Sequence, residues 1–365
     1  MTKLLIITQS VDSEDQALGF FIGWIKEFAK NCEKVSVICL RKGKYDLPAN
    51  VLVYSLGKEL RERSDLGNLK RSDLEEQFQK IKYAWRFYKR IFSLRNEYDS
   101  VFVHMNYIYV LLGDLFWKVW NKKVALWYVH RQKSFGLWLS QIFVNNIFTS
   151  SSESFGYKSK KVLYVGHGVD SSKFICSNNA RQDDKTKIIH VGRITPIKNL
   201  ETLILATEIL IKKVNNLSVE LIGKPATVTD EKYFTKLKST IKDKHLENVV
   251  TFKGAIPSAE IAGVYCSANT SVNLAPTGGW DKTVIESIMA KCPVFASNQG
   301  LKPIFGEYAD KFLFEQNNPL DLANKIESFL DENDKDIIMG NLRNHAVNEY
   351  GLENLIRKIV LVLNK

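Results

Sequence analysis

The sequence predicts an α/β protein of two domains, and three observations carry that prediction. Short apolar runs of strand length alternate with stretches of helical periodicity. The alternation comes as two separate series. A polar stretch rich in Ser, Asn and Asp, at 170–187, lies between them. Strands alternating with helices give parallel sheets wound by right-handed crossovers. A chain of 365 residues is long enough for two such domains, each with its own core.

In the first series, residues 3–8 (KLLIIT) read as a buried strand, too short for the apolar core of a signal peptide. Residues 20–30 have helical periodicity, with Phe21, Trp24, Ile25 and Phe28 on one face. Strand-like runs follow at 34–40 (KVSVICL), 51–56, 100–104 and 124–129. The second series opens at 187–192 (KIIHVG) and continues with a helix at 199–214. Strands follow at 218–223, 249–253, 270–274 and 293–296, with a helix at 282–291. The last residues, 349–365, read as a helix. The boundaries expected are an N-terminal domain at 1–170 joined by the final helix, a linker at 171–186 and a C-terminal domain at 187–348. Ligands of open α/β sheets bind at the carboxyl ends of the strands, so a cleft between the two halves is the expected site.

Composition narrows the function. Hydrophobic residues make up 45% and charged residues 25%, which excludes a disordered or short-repeat chain. The net charge, 51 − 40 = +11, favours anionic partners. Five cysteines (32, 39, 176, 266, 292) show no CxxC spacing, and their odd number fits a reducing cytoplasm. No apolar run approaches the length of a membrane span. Walker, HExxH and GxSxG patterns are absent. Six of the seven tryptophans lie in the first half, and residues 77–96 (QFQKIKYAWRFYKRIFSLRN) hold six basic residues and no acid. There Phe78, Ile81, Trp85, Tyr88 and Phe92 form one apolar stripe, with the basic residues mostly off it. Two readings stand: a helix on a membrane surface, or a crossover helix packing its stripe on the sheet and solvating its lysines. Residues 115–148 add Trp117, Trp120, Lys122, Lys123, Lys133, Phe135, Trp138 and Phe143, a mixture suited to a membrane interface.

Three positions carry candidate chemistry. In Val191–Asn199 (VGRITPIKN) a strand ends at a glycine, and Arg193 and Lys198 precede a helix. Two fixed cations near a helix N-terminus suit a phosphate, and the plain alternative is a solvated turn. In Pro276–Glu286 (PTGGWDKTVIE) Gly278 and Gly279 precede a helix whose first N–H groups are open to an anion. Glu286 sits one turn in, where a carboxylate accepts ribose hydroxyls. The alternative is a glycine turn with a capped helix. Asp281 opposes a phosphate there unless Lys282 or Arg193 pairs with it. The third is His104, a polar residue at the carboxyl end of a buried strand, either functional or structural.

Taken together these segments resemble the group-one, glycogen-synthase-like retaining glycosyltransferases of the GT-B fold, over nearly the whole chain. The matching segments are VGRITPIKN at 191–199, NVVTFKGAIP at 248–257, VIESIMAKCPVFAS at 284–297 and GHGVDSSKF at 166–174. The resemblance implies two Rossmann-like domains facing a central cleft, donor bound by the C-terminal one and acceptor by the N-terminal one, with the last helix packed back on the N-terminal domain. It implies that Arg193 and Lys198 bind the donor diphosphate and stabilise it as it leaves, with no metal or other cofactor. Glu286 would hold the ribose, and the backbone of Gly279, Trp280, Asp281, Lys282 and Thr283 would line the sugar diphosphate. Gly19 would approach the donor phosphates and the acceptor. His104, five residues after Asp99, would contact the transferred sugar. The family's first glutamate falls on Gly278 and its second loop glycine on Asp281, so Asp281 is expected to supply the missing carboxylate.

The function expected is transfer of a hexose-type sugar, with retention, from a nucleotide-diphosphate sugar to a cell-envelope saccharide or lipid-linked acceptor. The location expected is cytoplasmic, peripheral to the inner face of the membrane through the basic, aromatic N-terminal domain. A non-catalytic nucleotide-sugar-binding subunit and a nucleotide-sugar epimerase are the alternatives. Nucleic acid is not expected as a partner, since no RRM, KH or helix-turn-helix pattern occurs.

Overall fold

The computed structural model describes residues 2–15, 17–60, 73–152, 154–177, 185–277 and 281–364. It divides the chain into two compact units, Met1–Gly168 with Leu352–Lys365, and Val169–Gly351.

Unit 1 runs β1 (Lys3–Val11), α1 (Phe21–Asn31), β2 (Lys34–Lys42), β3 (Val51–Ser55), α2 (Asp73–Ser93), β4 (Ser100–His104), α3 (Ile108–Val119), β5 (Lys123–Trp127), α4 (Phe135–Phe143), β6 (Asn146–Thr149) and β7 (Val162–Tyr164). The strands form one parallel sheet in the order β3-β2-β1-β4-β5-β6-β7. Strand β1 is central, with Leu4 in register with Val35 of β2 and Ser100 of β4. Its side chains alternate between faces. Leu4 and Ile6 join Trp24 and Phe28 of α1 and Leu355 and Ile359 of the C-terminal helix (Leu352–Asn364) in one core. Leu5 and Ile7 join Phe87 and Ile91 of α2, Trp117 of α3 and Leu137 of α4 in the other. A strand covered on both faces must be apolar throughout, which is why KLLIIT reads as a continuous run.

Unit 2 runs β8 (Thr186–Val191), α5 (Leu200–Leu210), β9 (Leu217–Ile222), α6 (Val228–Asp243), β10 (Val250–Gly254), α7 (Ile261–Ser267), β11 (Thr270–Asn273), α8 (Lys282–Met289), β12 (Val294–Ala296), α9 (Pro319–Leu330) and α10 (Lys335–Tyr350). Its parallel sheet has the order β10-β9-β8-β11-β12. Local sequence sets the helix ends. Thr227 and Asp230 form a reciprocal capping box at the start of α6. Amphipathic α8 buries Val284, Ile285, Ile288 and Met289.

Four expectations change. The stretch expected as a linker belongs, in its described part 171–177, to unit 2. Val169 N–H donates to Tyr350 O, Phe174 enters the core, and Arg343 Nη1 donates to Phe174 O. The final helix starts at Leu352, because α10 continues to Tyr350 and breaks at Gly351. A Cβ there would lie 2.3 Å from Val347 O. The stripe on α2 does not face the sheet. Phe87, Ile91 and Leu94 are buried, whereas Phe78, Ile81 and Trp85 are exposed. The helix carries a second apolar row, and it is this row that fits against Leu5, Ile7 and Ile38. Lastly, Cys176 and Cys266 form a disulfide, while Cys32, Cys39 and Cys292 are buried and outside any disulfide. A separation of 90 residues leaves no spacing pattern to read. Among the described residues no helix is long and apolar enough to cross a membrane.

Candidate functional site

In unit 2 the chain builds β8, β9 and β10 to one side, then returns to place β11 and β12 on the other. The strand order therefore reverses between β8 and β11, the position at which open α/β sheets bind ligands. The loops following these two strands carry the candidate residues.

Glycine permits the local backbone. A Cβ on Gly223, after β9, would lie 1.8 Å from Gly192 O, after β8. After Gly192 the chain makes a short turn at Pro196–Lys198 and enters α5 through Asn199, which is left-handed at φ 42° and ψ 52°. Asparagine tolerates that conformation better than a branched residue does. This turn directs Lys198 onto the carboxylate of Asp281, with which it forms a hydrogen-bonded ion pair. Asp281 is the N-cap of α8 and accepts from the Thr283 N–H. Asn273, the last residue of β11, donates from Nδ2 to Asp281 Oδ2 at 3.1 Å and to Thr283 Oγ1 at 3.0 Å. Burial works to raise the Asp281 pKa, but the Lys198 ammonium and these hydrogen bonds overcome it and hold the carboxyl at about 2. The carboxylate is therefore ionised and satisfied.

Glu286 lies one turn into α8 and is buried. Burial raises its pKa, Asp281 adds to the rise, and Lys282, 3.5 Å away, opposes it. Arg193 is exposed, at the rim of the same loop. Gly279 and Trp280, with Gly278, lie outside the described residues. The structure thus brings Lys198, Asp281 and Thr283 together, with Lys282 and Glu286 on the same short helix.

Two partners in this cluster were not legible as such. Asn273 reads in the sequence as part of a buried strand, and a polar residue at a strand's carboxyl end was the available signal. His190 likewise sits inside the apolar run KIIHVG. It is fully buried, its Nδ1 is 2.9 Å from Val272 O, and its Nε2 has no hydrogen-bond partner among the described residues. Burial lowers its pKa to about 4, so the ring is neutral and Nδ1 donates to the carbonyl. A Cβ on Gly192 would lie 3.2 Å from Nε2 and 3.8 Å from Lys198 Cε, which places this unpaired nitrogen beside the lysine stem.

Unit 1 has its own reversal, between β1 and β4. His104 ends β4 there, with Nδ1 3.3 Å from Thr8 Oγ1 of β1. Its ring stacks on Phe21 at 4.0 Å, with Phe20 and Trp24 around it. Burial lowers its pKa to about 3, so it is neutral at pH 7. Gly19 closes the loop before α1. Its N–H donates to Asp15 O, and a Cβ would lie 2.6 Å from that oxygen and 2.8 Å from Ser13 O. A side chain at 19 would open the loop whatever the loop binds.

The two buried histidines predict an acid-sensitive fold. Their native pKa values lie below the ordinary 6.5, so the unfolded chain binds protons that the native chain refuses. Stability is complete above pH 6.5 and falls as pH drops towards 4 and 3, by up to about 1.4 kcal/mol per pH unit for each histidine. Urea unfolding at pH 7 and pH 5 measures this, and His190→Gln is expected to remove about half of the loss.

With this geometry in place, three comparisons bear on identity. Residues 172–348, which fill most of unit 2, match the family model of glycosyl transferases group 1. The poly(ribitol-phosphate) alpha-N-acetylglucosaminyltransferase of Staphylococcus aureus (strain COL) is 26% identical over 200 residues, 53% of this chain and 38% of that enzyme. The D-inositol 3-phosphate glycosyltransferase of Corynebacterium kroppenstedtii is 26% identical over 165 residues, 44% of this chain and 36% of that enzyme. The chain thus spans well under half the length of the curated relatives it matches. Anabaena HepE, solved in complex with UDP and glucose, superposes with a TM-score of 0.73 over all of both chains at 16% identity. Two parallel-sheet α/β units of this kind are the GT-B fold, and residues 172–348 match the model of the group 1 glycosyl transferases.

Proposed function

We propose that the chain transfers a hexose-type sugar, with retention and without a metal ion, from a nucleoside-diphosphate sugar to a saccharide or lipid-linked acceptor of the cell envelope, working at the inner face of the membrane. The observation that carries this reading is the convergence of Lys198, Asn273, Asp281 and Thr283 on the N-terminus of α8, at the strand-order reversal of unit 2. A lysine ammonium and free helix N–H groups are what a diphosphate needs. At present the Asp281 carboxylate takes both, so an arriving diphosphate replaces one anion by another. The matched S. aureus enzyme, named for a polymer of ribitol phosphate, supports the envelope assignment.

In this reading Lys198 and Arg193 neutralise charge as the bond from the anomeric carbon to the β-phosphate oxygen breaks and its electron pair goes to the phosphate. Those two side chains supply the positive charge, and the mechanism has no step for a metal. The acceptor hydroxyl bonds the anomeric carbon on the same face, and its proton passes to the leaving phosphate. Glu286 accepts the ribose hydroxyls, and the protein around it keeps it buried for that task. Lys282, Thr283, Gly279 and Trp280 line the donor. His104, neutral and wedged between Phe21 and Thr8, contacts the transferred sugar as a hydrogen-bonding group, and Gly19 holds the loop beside it.

Thermal unfolding with UDP, GDP, ADP, CMP or TDP in EDTA tests the site. A ligand at 100 times its dissociation constant stabilises by about 2.7 kcal/mol, readily seen as a higher Tm. A shift with one nucleotide is expected, followed by acceptor-dependent release of that nucleotide from its sugar conjugate. No shift with any of them would sink the donor assignment. A shift with no transfer would favour a non-catalytic binding subunit, and an isomerised sugar without acceptor would favour an epimerase.

A further inference from the structure

One face of unit 1 carries an apolar surface that the described residues leave exposed. Helices α2, α3 and α4 lie side by side on one face of the sheet, joined by Phe92 against Phe116 and by Lys118 over the ring of Phe143. Their inward residues fill the core, yet their outward residues are apolar too. Phe78 and Trp85 on α2 are 64% and 63% exposed, and Leu115 and Val119 on α3 are 70% and 75%. On α4, Phe135 and Trp138 stack on each other in the open. An outward apolar surface spread over three neighbouring helices marks an interaction site.

The charge on this face says what it meets. On α2, Lys82 and Lys89 fall in the same helical row as Phe78 and Trp85, and Lys89 Nζ lies 5.5 Å from the Trp85 ring. Lys133 precedes Phe135 in the turn before α4 and lies over the ring of Tyr157. Acidic side chains are nearly absent between 77 and 152. They are Glu97 and Asp99 beyond the end of α2, and the buried Asp114, which Lys118 neutralises; before this stretch, Glu75 and Glu76 are exposed in the first turn of α2. Aromatic and aliphatic side chains interleaved with lysines suit a surface that is apolar within and negatively charged at its face. A second copy fits poorly, since a self-complementary dimer would set these lysines against one another.

We infer that the outward face of α2, α3 and α4 seats unit 1 on an anionic lipid bilayer. The inference deepens the membrane part of the proposed function and shares its premise that the acceptor is met there, but it does not use the donor site. The aromatic rings enter the headgroup region and the lysine stems extend to the lipid phosphates.

Sedimentation with vesicles of phosphatidylcholine and phosphatidylglycerol tests it. Binding is expected at low salt, weakening at high salt, and much weaker with phosphatidylcholine alone. Lys82→Glu with Lys89→Glu, and separately Trp85→Ser with Trp138→Ser, are expected each to weaken partitioning about ten-fold or more. These side chains are exposed, so Tm and the nucleotide-induced shift stay unchanged. Absence of binding to the anionic vesicles, or variants that bind like the parent, overturns the inference. So does a dimer dissolved by the tryptophan pair in a chain that ignores vesicles. Nucleotide shift and vesicle binding are separate readings, so failure of the donor assignment is told apart from failure of this one.

Discussion

Replacing Lys198 by alanine is expected to lower transfer about 10²–10³-fold, the cost of one preorganised charge at a site where negative charge develops. The side chain cannot be spared by redundancy. Arg193 is exposed at the rim of the loop, while Lys198 is held at the N-terminus of α8 by Asp281. The same substitution leaves the ionised, partly buried Asp281 carboxylate without its cation, which costs about 1–3 kcal/mol of stability. The double variant Lys198→Ala with Asp281→Asn separates the two effects. Stability returns because the unpaired Asp281 charge is gone, whereas nucleotide binding, which Asp281→Asn alone leaves intact, does not return because the phosphate-binding cation is still missing. Recovery of nucleotide binding in the double variant, or near-parental rates in Lys198→Ala, would remove Lys198 from the mechanism.

Asp281→Asn alone gives the second large effect. Asparagine caps helices about as well as aspartate, so α8 keeps its N-terminus and the fold is expected to hold. The negative charge facing Lys198 is lost. Nucleotide binding is therefore expected to persist or strengthen, as the diphosphate no longer competes with a carboxylate for the ammonium. Transfer is expected to fall at least about 100-fold, because the variant lacks the carboxylate proposed to stand in for the family's first glutamate, which falls on Gly278. Nucleotide-induced Tm shifts and single-turnover rates on the same variant read the two outcomes apart. Unchanged turnover would confine Asp281 to holding Lys198.

Much of this was legible in the residues. Alternating apolar runs and helical periods gave both sheets, since a strand buried on two faces must be continuously apolar, as Leu4–Ile7 and Ile188–Ile189 are. The VGR and PIKN segment placed Arg193 and Lys198 after a strand. The helix beginning at Lys282 followed from the glycines before it and the apolar spacing within it. What escaped was of one kind. His190 and Asn273 are polar residues inside short buried strands, and their neighbours hide them. Their roles come from a sheet order that sets β8 beside β11, across a sequence gap of more than 80 residues.

The sequence by itself determined the class of fold, the order of its elements and the loops that carry the chemistry, because periodicity and turn residues are local properties. The tertiary structure decided which groups meet. It paired Lys198 with Asp281, 83 residues away, and Cys176 with Cys266. It also chose which of two apolar rows on α2 would face the sheet, burying Phe87 and Ile91 and turning Phe78 and Trp85 outward. By pattern alone the outward row, with Phe78, Ile81, Trp85, Tyr88 and Phe92, is the more apolar. The choice falls to the shape of the surface that β1 and β2 present, and that surface exists only once the strands have paired.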